Sequence, residues 1–209
     1  MAKDSPANRQ QMRTRIAHLA ARMIAEDGVS DYGLAKRKAA RQAGAPDSRN
    51  LPTNLEIEEA LRAYQALYQS DTHEPELLRL RELAVQMMEL LEPFAPHLTG
   101  PVLSGSAGRY SQINLQLYTD DLKALELFLL NRDIPFKIRE TRVWAGDTDI
   151  VVPTFLIGTE EADFAVTVLK PQHRRQPLRI SSDGRPLERA PIEYVRSLIA
   201  DAQEHLSDS

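Results

Sequence analysis

Near residue 96 the hydrophobic period of the chain changes, and few folds accommodate such a change. From Arg9 to Leu91 apolar residues recur every three or four positions, the spacing of amphipathic helices. Beyond Val102 they alternate with polar residues, the spacing of half-buried strands. A chain written this way folds as an α+β protein, with an N-terminal helical region over residues 1–95 and a sheet-bearing domain with a C-terminal helix over 96–209.

The helical region reads as four runs. Residues 1–8 read as a frayed end. From Arg9 to Asp27, Met12, Ile16, Leu19, Ala20, Met23 and Ile24 form one face, and Gly28 stops the helix. The second run, Tyr32 to Gly44, carries Lys36, Arg37, Lys38 and Arg41 around an alanine-rich helix. That basic helix is open to three uses: a solvated face, a contact with RNA or nucleotide phosphates, or DNA reading. For the last, the short third helix and Gly-containing turn of a major-groove module are missing. After a loop at Pro46–Pro52, Thr53 and Glu56 have the spacing of a capping box, with Ile57, Ala60, Leu61, Tyr64, Leu67 and Tyr68 expected inward. A break near Ser70 and Pro75 precedes the run from Leu77 to Leu91, which ends at Pro93–Pro96. These long apolar stripes must pack on each other, on the sheet or on another copy, and periodicity does not choose among them.

In the second half, Val102–Ser104 and Gln112–Tyr118 are expected strands separated by a turn over Gly105–Ser111. The second alternates strictly: Ile113, Leu115 and Leu117 face one way, while Gln112, Asn114 and Gln116 face the other. Gln112 and Asn114 thus stand side by side, about 6 to 7 Å apart. A helix capped by Thr119 or Asp120 is expected from Asp121 to Asn131, with Leu122, Leu125, Phe128 and Leu129 inward. Strands follow at Pro135–Val143, at Ile150–Ile157, where Pro153 implies an edge or a bulge, and at Asp163–Leu169. Trp144 precedes a Gly-Asp-Thr-Asp turn and reads as a core lid or a contact surface. A loop from Lys170 to Pro191, with a turn at Ser181–Arg185, leads to a last helix, Ile192–Leu206. No crossover helices separate the last three strands, so the sheet is antiparallel or mixed and not doubly wound.

Composition narrows the classes further. The chain of 209 residues is 42% hydrophobic and has no cysteine, so disulfide frameworks and thiolate metal sites are excluded. No stretch is apolar enough to span a bilayer, and the start lacks a secretory core, so a cytoplasmic protein without membrane contact is expected. Lys and Arg number 26 against 30 Asp and Glu, a net charge of -4, which argues against a dedicated nucleic-acid coat. The five histidines have no metal-ligand spacing, so no metal site is expected from them, and neither a Gly-x-Ser-x-Gly elbow nor a Walker-type phosphate loop occurs.

The string LSGSAGRYSQINLQL, from Leu103 to Leu117, resembles the core of the nucleotidyltransferase superfamily. There a strand ends in Gly-Ser, a short helical segment follows, and the next strand carries Asp-x-Asp. The helix after Asp120 and Asp121 stands where that family places one. The resemblance covers about residues 98–170 and implies a nucleotidyltransferase-like mixed sheet with flanking helices. It also implies that Gly105 and Ser106 cradle phosphates, with Arg109 and Ser111 as a polar flank. The positions of the two metal-binding carboxylates are occupied by Gln112 and Asn114. Amides hold Mg poorly, because this hard cation is normally bound by carboxylates together with substrate phosphates. The implied candidates for a remaining catalytic carboxylate are Asp163 first and Asp149 second.

Basic residues of the run KPQHRRQPLR, namely Lys170, Arg174 and Arg175, are candidates to approach the same phosphate or to lie against RNA. Three functions follow from these readings. The first is a degenerate nucleotidyltransferase-fold protein that binds a nucleoside triphosphate, RNA or a protein partner with little or no transfer. The second is an active Mg-dependent transferase using rearranged carboxylates from among Asp120, Asp121, Asp147, Asp149 and Asp163. The third is a non-enzymatic interaction protein with a basic N-terminal helix.

Overall fold

The computed structural model describes residues 6–29, 32–45, 51–176, 178–179 and 186–207. The expected turn at 181–185, most of the 46–52 loop and the first five residues of the expected frayed end lie outside them. By contacts the chain divides into two units, Met1–Glu74 with Gly108–Ser111, and Pro75–Ala107 with Gln112–Ser209. No helix among the described residues is long and apolar enough to cross a membrane.

The first unit holds three helices, α1 (Pro6–Asp27), α2 (Tyr32–Gln42) and α3 (Asn54–Tyr68). Helix α1 already begins at Pro6, inside the stretch expected to fray, because proline is well suited to a first helical position. The core is alanine-rich: Ile16, Ala17, Ala20 and Ala21 of α1 meet Ala35, Ala39 and Ala40 of α2 and Ile57, Ala60 and Leu61 of α3. Small side chains let these helices approach closely, and they leave Arg37, Lys38 and Arg41 of α2 in solvent. The capping box forms as expected, with the Thr53 hydroxyl accepting from the Glu56 N–H and the Glu56 carboxylate accepting from the Thr53 N–H. The end of α3 differs from expectation. Leu67 and Tyr68 are 75% and 72% exposed, and Gln65 is the buried residue of the last turn, because spacing of four from Ile57 and Leu61 falls on 65.

The second unit is a mixed α/β body. Its helices are α4 (Ser70–Leu90, shared at its first turn with the other unit), the short α5 (Pro101–Ser104), α6 (Leu122–Leu130) and α7 (Ile192–Ser207). The strands are β1 (His97–Thr99), β2 (Ile113–Tyr118), β3 (Lys137–Ala145), β4 (Thr148–Gly158), β5 (Asp163–Leu169), β6 (Leu178–Arg179) and β7 (Arg189–Ala190). They form one sheet in the order β6-β3-β4-β5-β2-β1-β7, with β2 and β5 parallel and the other pairs antiparallel. The Leu187 N–H donates to the Leu178 carbonyl at 2.6 Å, so the sheet curls until edge strand β6 meets the chain just before β7.

One face of the sheet is apolar. Leu98, Ile113, Leu115, Leu117, Phe155, Ile157, Phe164, Val166 and Val168 pack there with Leu80 and Met88 of α4, Leu91 directly after it, Leu125 and Leu129 of α6 and Val195 of α7. Met87 and Met88 are core filler, as their helical spacing implies. Three local expectations change. Val102–Ser104 is not a strand: Gly100, at φ 74° and ψ -155°, turns the chain after β1, and Pro101, with no N–H to give a ladder, starts α5. Helix α6 is capped by Asp121, whose carboxylate accepts from the Ala124 N–H, so Leu122 at its first position points outward. Pro153 lies in an interior strand, yet β5 pairs with β4 only from Thr154 onward, so at Pro153 the strand has a local edge that needs no donor.

Candidate functional site on the polar sheet face

The strand registers carry the alternation of β2 across the whole sheet. Gln116 stands beside His97 of β1 and Thr167 of β5, Thr167 beside Thr154 of β4, and Thr154 beside Arg139 of β3. The next row reads Arg189, Thr99, Asn114, Ala165, Leu156, Lys137. Both rows lie on the face opposite the helices, since side chains directly paired across a sheet share a face. At one end of this face Tyr118, Val143, Val152, Leu169 and Leu178 form a small apolar cluster, joined by Leu187. Side chains from five strands converge there, so the polar face is the concave one. Concavity accounts for the burial of polar side chains at Thr99, Gln116 and Thr154.

These groups are tied to one another. The Thr154 hydroxyl donates to Thr141 at 2.7 Å and lies 3.1 Å from that of Thr167. The Tyr118 hydroxyl donates to Gln116 Oε1 at 2.9 Å and accepts from Arg189 Nη1 at 2.9 Å. Arg189 also bonds the Arg174 carbonyl, tying β7 to the 3-10 turn Pro171–Arg175. The His97 ring stands edge-on to that of Tyr118, 5.4 Å between centroids, and its Nδ1 lies 3.0 Å from the Ala95 carbonyl. That bond makes Nδ1 the protonated nitrogen and leaves Nε2 an acceptor.

Burial pushes the His97 pKa below its ordinary value of 6.5; the Ala95 bond works against the shift, and the charges of Arg174 and Arg189 add to it. Burial raises the Tyr118 phenol, with Arg189 opposing. Among the strand residues placed on this face, the cations are Lys137, Arg139 and Arg189, and the acid is Asp163. We expect His97 to titrate below pH 6.5 with a neutral Nδ1–H tautomer, as read from its 15N ring shifts. The linkage follows: stability from neutral His97 is present above 6.5 and lost as pH falls from there through the folded pKa. A midpoint at or above the ordinary value would contradict the buried, cation-flanked setting.

The residues singled out in the sequence separate in the fold. Gln112 precedes β2 and Asn114 lies in it; the Asn114 amide approaches the Gln112 carbonyl at 3.3 Å. Asp163, exposed at the start of β5, stands one step before the Ile113–Phe164 pair and so beside Gln112. Asp149 is far from all three. It pairs with Arg142 at 3.1 Å near the β3–β4 turn, nine residues along β4 from Gly158, the partner of Asp163, or about 30 Å along the strand. Gly105 and Ser106 lie at the C-terminal end of α5, where the N–H groups of Gly105, Ser106 and Ala107 all point to the Pro101 carbonyl. The glycine that turns the chain from strand to helix is Gly100. Arg109 and Ser111 belong to the first unit, and the Ser111 hydroxyl accepts from the Gly108 N–H within its own turn. Lys170, Arg174 and Arg175 are exposed around the 3-10 turn.

His97, Thr99, Gly100, Thr154, Thr167 and Arg189 were not legible as site residues. The available signal was the His-Leu-Thr alternation directly before Gly100-Pro101, too short to stand out from the preceding proline break. No family model, curated protein or solved structure matches the chain. The donor set around Gln112 does not fit a two-Mg centre: it offers two amides and one exposed carboxylate, and the described residues hold no cluster of three or more metal-ligating side chains.

Proposed function

We propose that the second unit is a degenerate nucleotidyltransferase-like module whose polar sheet face binds a nucleoside triphosphate with little or no transfer. The observation that carries this reading is the make-up of the concave face. Hydroxyls and amides fill its centre, Arg189, Arg139 and Lys137 flank them, and amides occupy both positions next to Asp163 where metal carboxylates would stand. Cations and neutral donors suit an anion bound directly, whereas carboxylates would repel it without a bridging metal. The order strand β1, Gly100 turn, helix α5, strand β2 supports the same reading and moves the expected turn from Gly105 to Gly100. A transferase relying on Asp149 is disfavoured by its distance from Gln112.

Titration calorimetry with ATP and the other nucleoside triphosphates tests binding, and affinity is expected to be the same in EDTA as in Mg. Labelled nucleotides offered with RNA and protein acceptors are expected to give no product. Exchanging Arg174 and Arg175 for alanine should weaken binding about tenfold at low salt, with the difference shrinking as salt rises. Absence of heat at millimolar nucleotide would overturn the reading, and robust transfer would replace it with the active alternative.

A further inference from the structure

The chain between β5 and β6 is anchored at its ends and barely fastened between them. Leu169 and Leu178, 1% and 2% exposed, hold those ends in the small apolar cluster. From Lys170 to Gln176 no residue is buried. Within this stretch the His173 N–H donates to the Lys170 carbonyl, the Gln176 N–H donates to the His173 carbonyl, and the His173 ring meets the Gln176 side-chain oxygen at 2.9 Å. Among the described residues, every hydrogen bond that reaches it from outside comes from one side chain, Arg189 of β7. Its Nη2 donates to the Arg174 carbonyl, and its Nη1 donates to the Gln176 carbonyl at 3.4 Å. A short 3-10 turn fastened this lightly belongs to the least stable part of a fold.

Arg189 stands in the polar-face row of Thr99 and Asn114, and its Nη1 also donates to the Tyr118 hydroxyl. Tyr118 is two positions along β2 from Gln116 and bonded to it, so the carbonyls that Arg189 holds lie over that end of the face, where the turn meets β2. The face is closed in this state: Gln116 and Thr154 are 4% and 1% exposed.

We propose that Lys170–Gln176 is a strap latched across the polar face by Arg189, and that an anionic ligand opens it by taking the guanidinium from the strap's carbonyls. Phosphate oxygens are charged acceptors that a guanidinium grips in a fork, whereas the two carbonyls are neutral, so the exchange favours the ligand. The latch stands on the bonds above; the identity of the entering anion rests on the nucleotide reading.

Amide hydrogen exchange of the full chain tests this, read at His173 and Gln176 with Val166 and Val168 of β5 as internal reference. Without ligand, Arg189→Gln is expected to speed exchange of the strap amides at least about tenfold and to leave the β5 amides unchanged. Saturating ATP, with binding followed by calorimetry, should speed the same strap amides in wild type. Unchanged strap exchange in Arg189→Gln would overturn the latch, and equal or slower strap exchange in bound ATP would overturn the release. ATP that gives no heat defeats the nucleotide reading and the ligand's part with it, while the ligand-free comparison still decides the latch. Should Arg189→Gln not fold, wild-type exchange in low urea decides. Strap amides should then exchange by local opening that urea barely affects, and exchange only through global unfolding would sink the strap.

Discussion

Gly100→Ala is expected to destabilise the sheet-bearing unit by about 3 kcal/mol, seen as a fall of about 10 °C in its thermal midpoint. Two effects add. At φ 74° and ψ -155° the backbone occupies a region essentially reserved for glycine, and a Cβ there would sit 2.9 Å from the Asn114 amide nitrogen. The Asn114 Cβ and Cγ would lie at 3.5 and 3.6 Å, so relief requires the amide to turn away and give up its approach to the Gln112 carbonyl. Combining Gly100→Ala with Asn114→Ala separates the effects: the steric part should be recovered and the backbone part retained, leaving about half the loss. The parent stability in Gly100→Ala would mean that the strand-to-helix turn relaxes to another conformation, and the placement of β1 beside Asn114 would go with it.

That turn also shows where sequence reading stops. The period of β2 predicts its two faces correctly because alternation is a local property and the apolar face has a core to fill. The polar face is a product of registers. Thr154 and Thr167 are unremarkable within Pro-Thr-Phe-Leu and Val-Thr-Val until pairing sets Thr154 beside Thr167 and Thr167 beside Gln116. His97 and Arg189 are 92 positions apart (189 minus 97) and meet through Tyr118, which ordinary spacing rules place with the β2 side chains only. Gly105 stands out over Gly100 in the sequence because Gly-Ser is a recognisable pair. Pro101 following Gly100 is equally informative once it is read as a helix start that cannot join a ladder. Leu67 and Tyr68 illustrate the opposite failure, a helical stripe extended past the point where anything remains to cover it.

Glu56→Gln is expected to destabilise the helical unit by about 2 kcal/mol and to remove a component of its acid sensitivity. The carboxylate is a hub. Arg13 donates to it from Nε at 2.7 Å and from Nη2 at 2.7 Å, and the Thr53 N–H and hydroxyl donate to Oε2 at 2.7 and 2.9 Å. One residue thus completes the cap of α3 and fastens α1 to it. The Arg13 bond first, with Thr53 adding to it against partial desolvation, holds the Glu56 pKa down to about 2 from 4.5. A depressed carboxylate stabilises the folded state above the unfolded pKa, so the contribution is full above pH 4.5 and disappears as pH falls toward 2. That shift alone would correspond to about 3 kcal/mol, and with 30% of the side chain exposed, solvent screening reduces it to about 2. Urea unfolding between pH 2 and 7 checks this: the wild-type stability should fall more steeply than that of Glu56→Gln below about pH 4.5, and the curves should converge at the acid end. Parallel curves would show that the Arg13–Glu56 contact does not persist in solution, and the junction of α1 and α3 would then rest on the alanine-rich core and the bond from the Tyr64 hydroxyl to the Glu26 carboxylate.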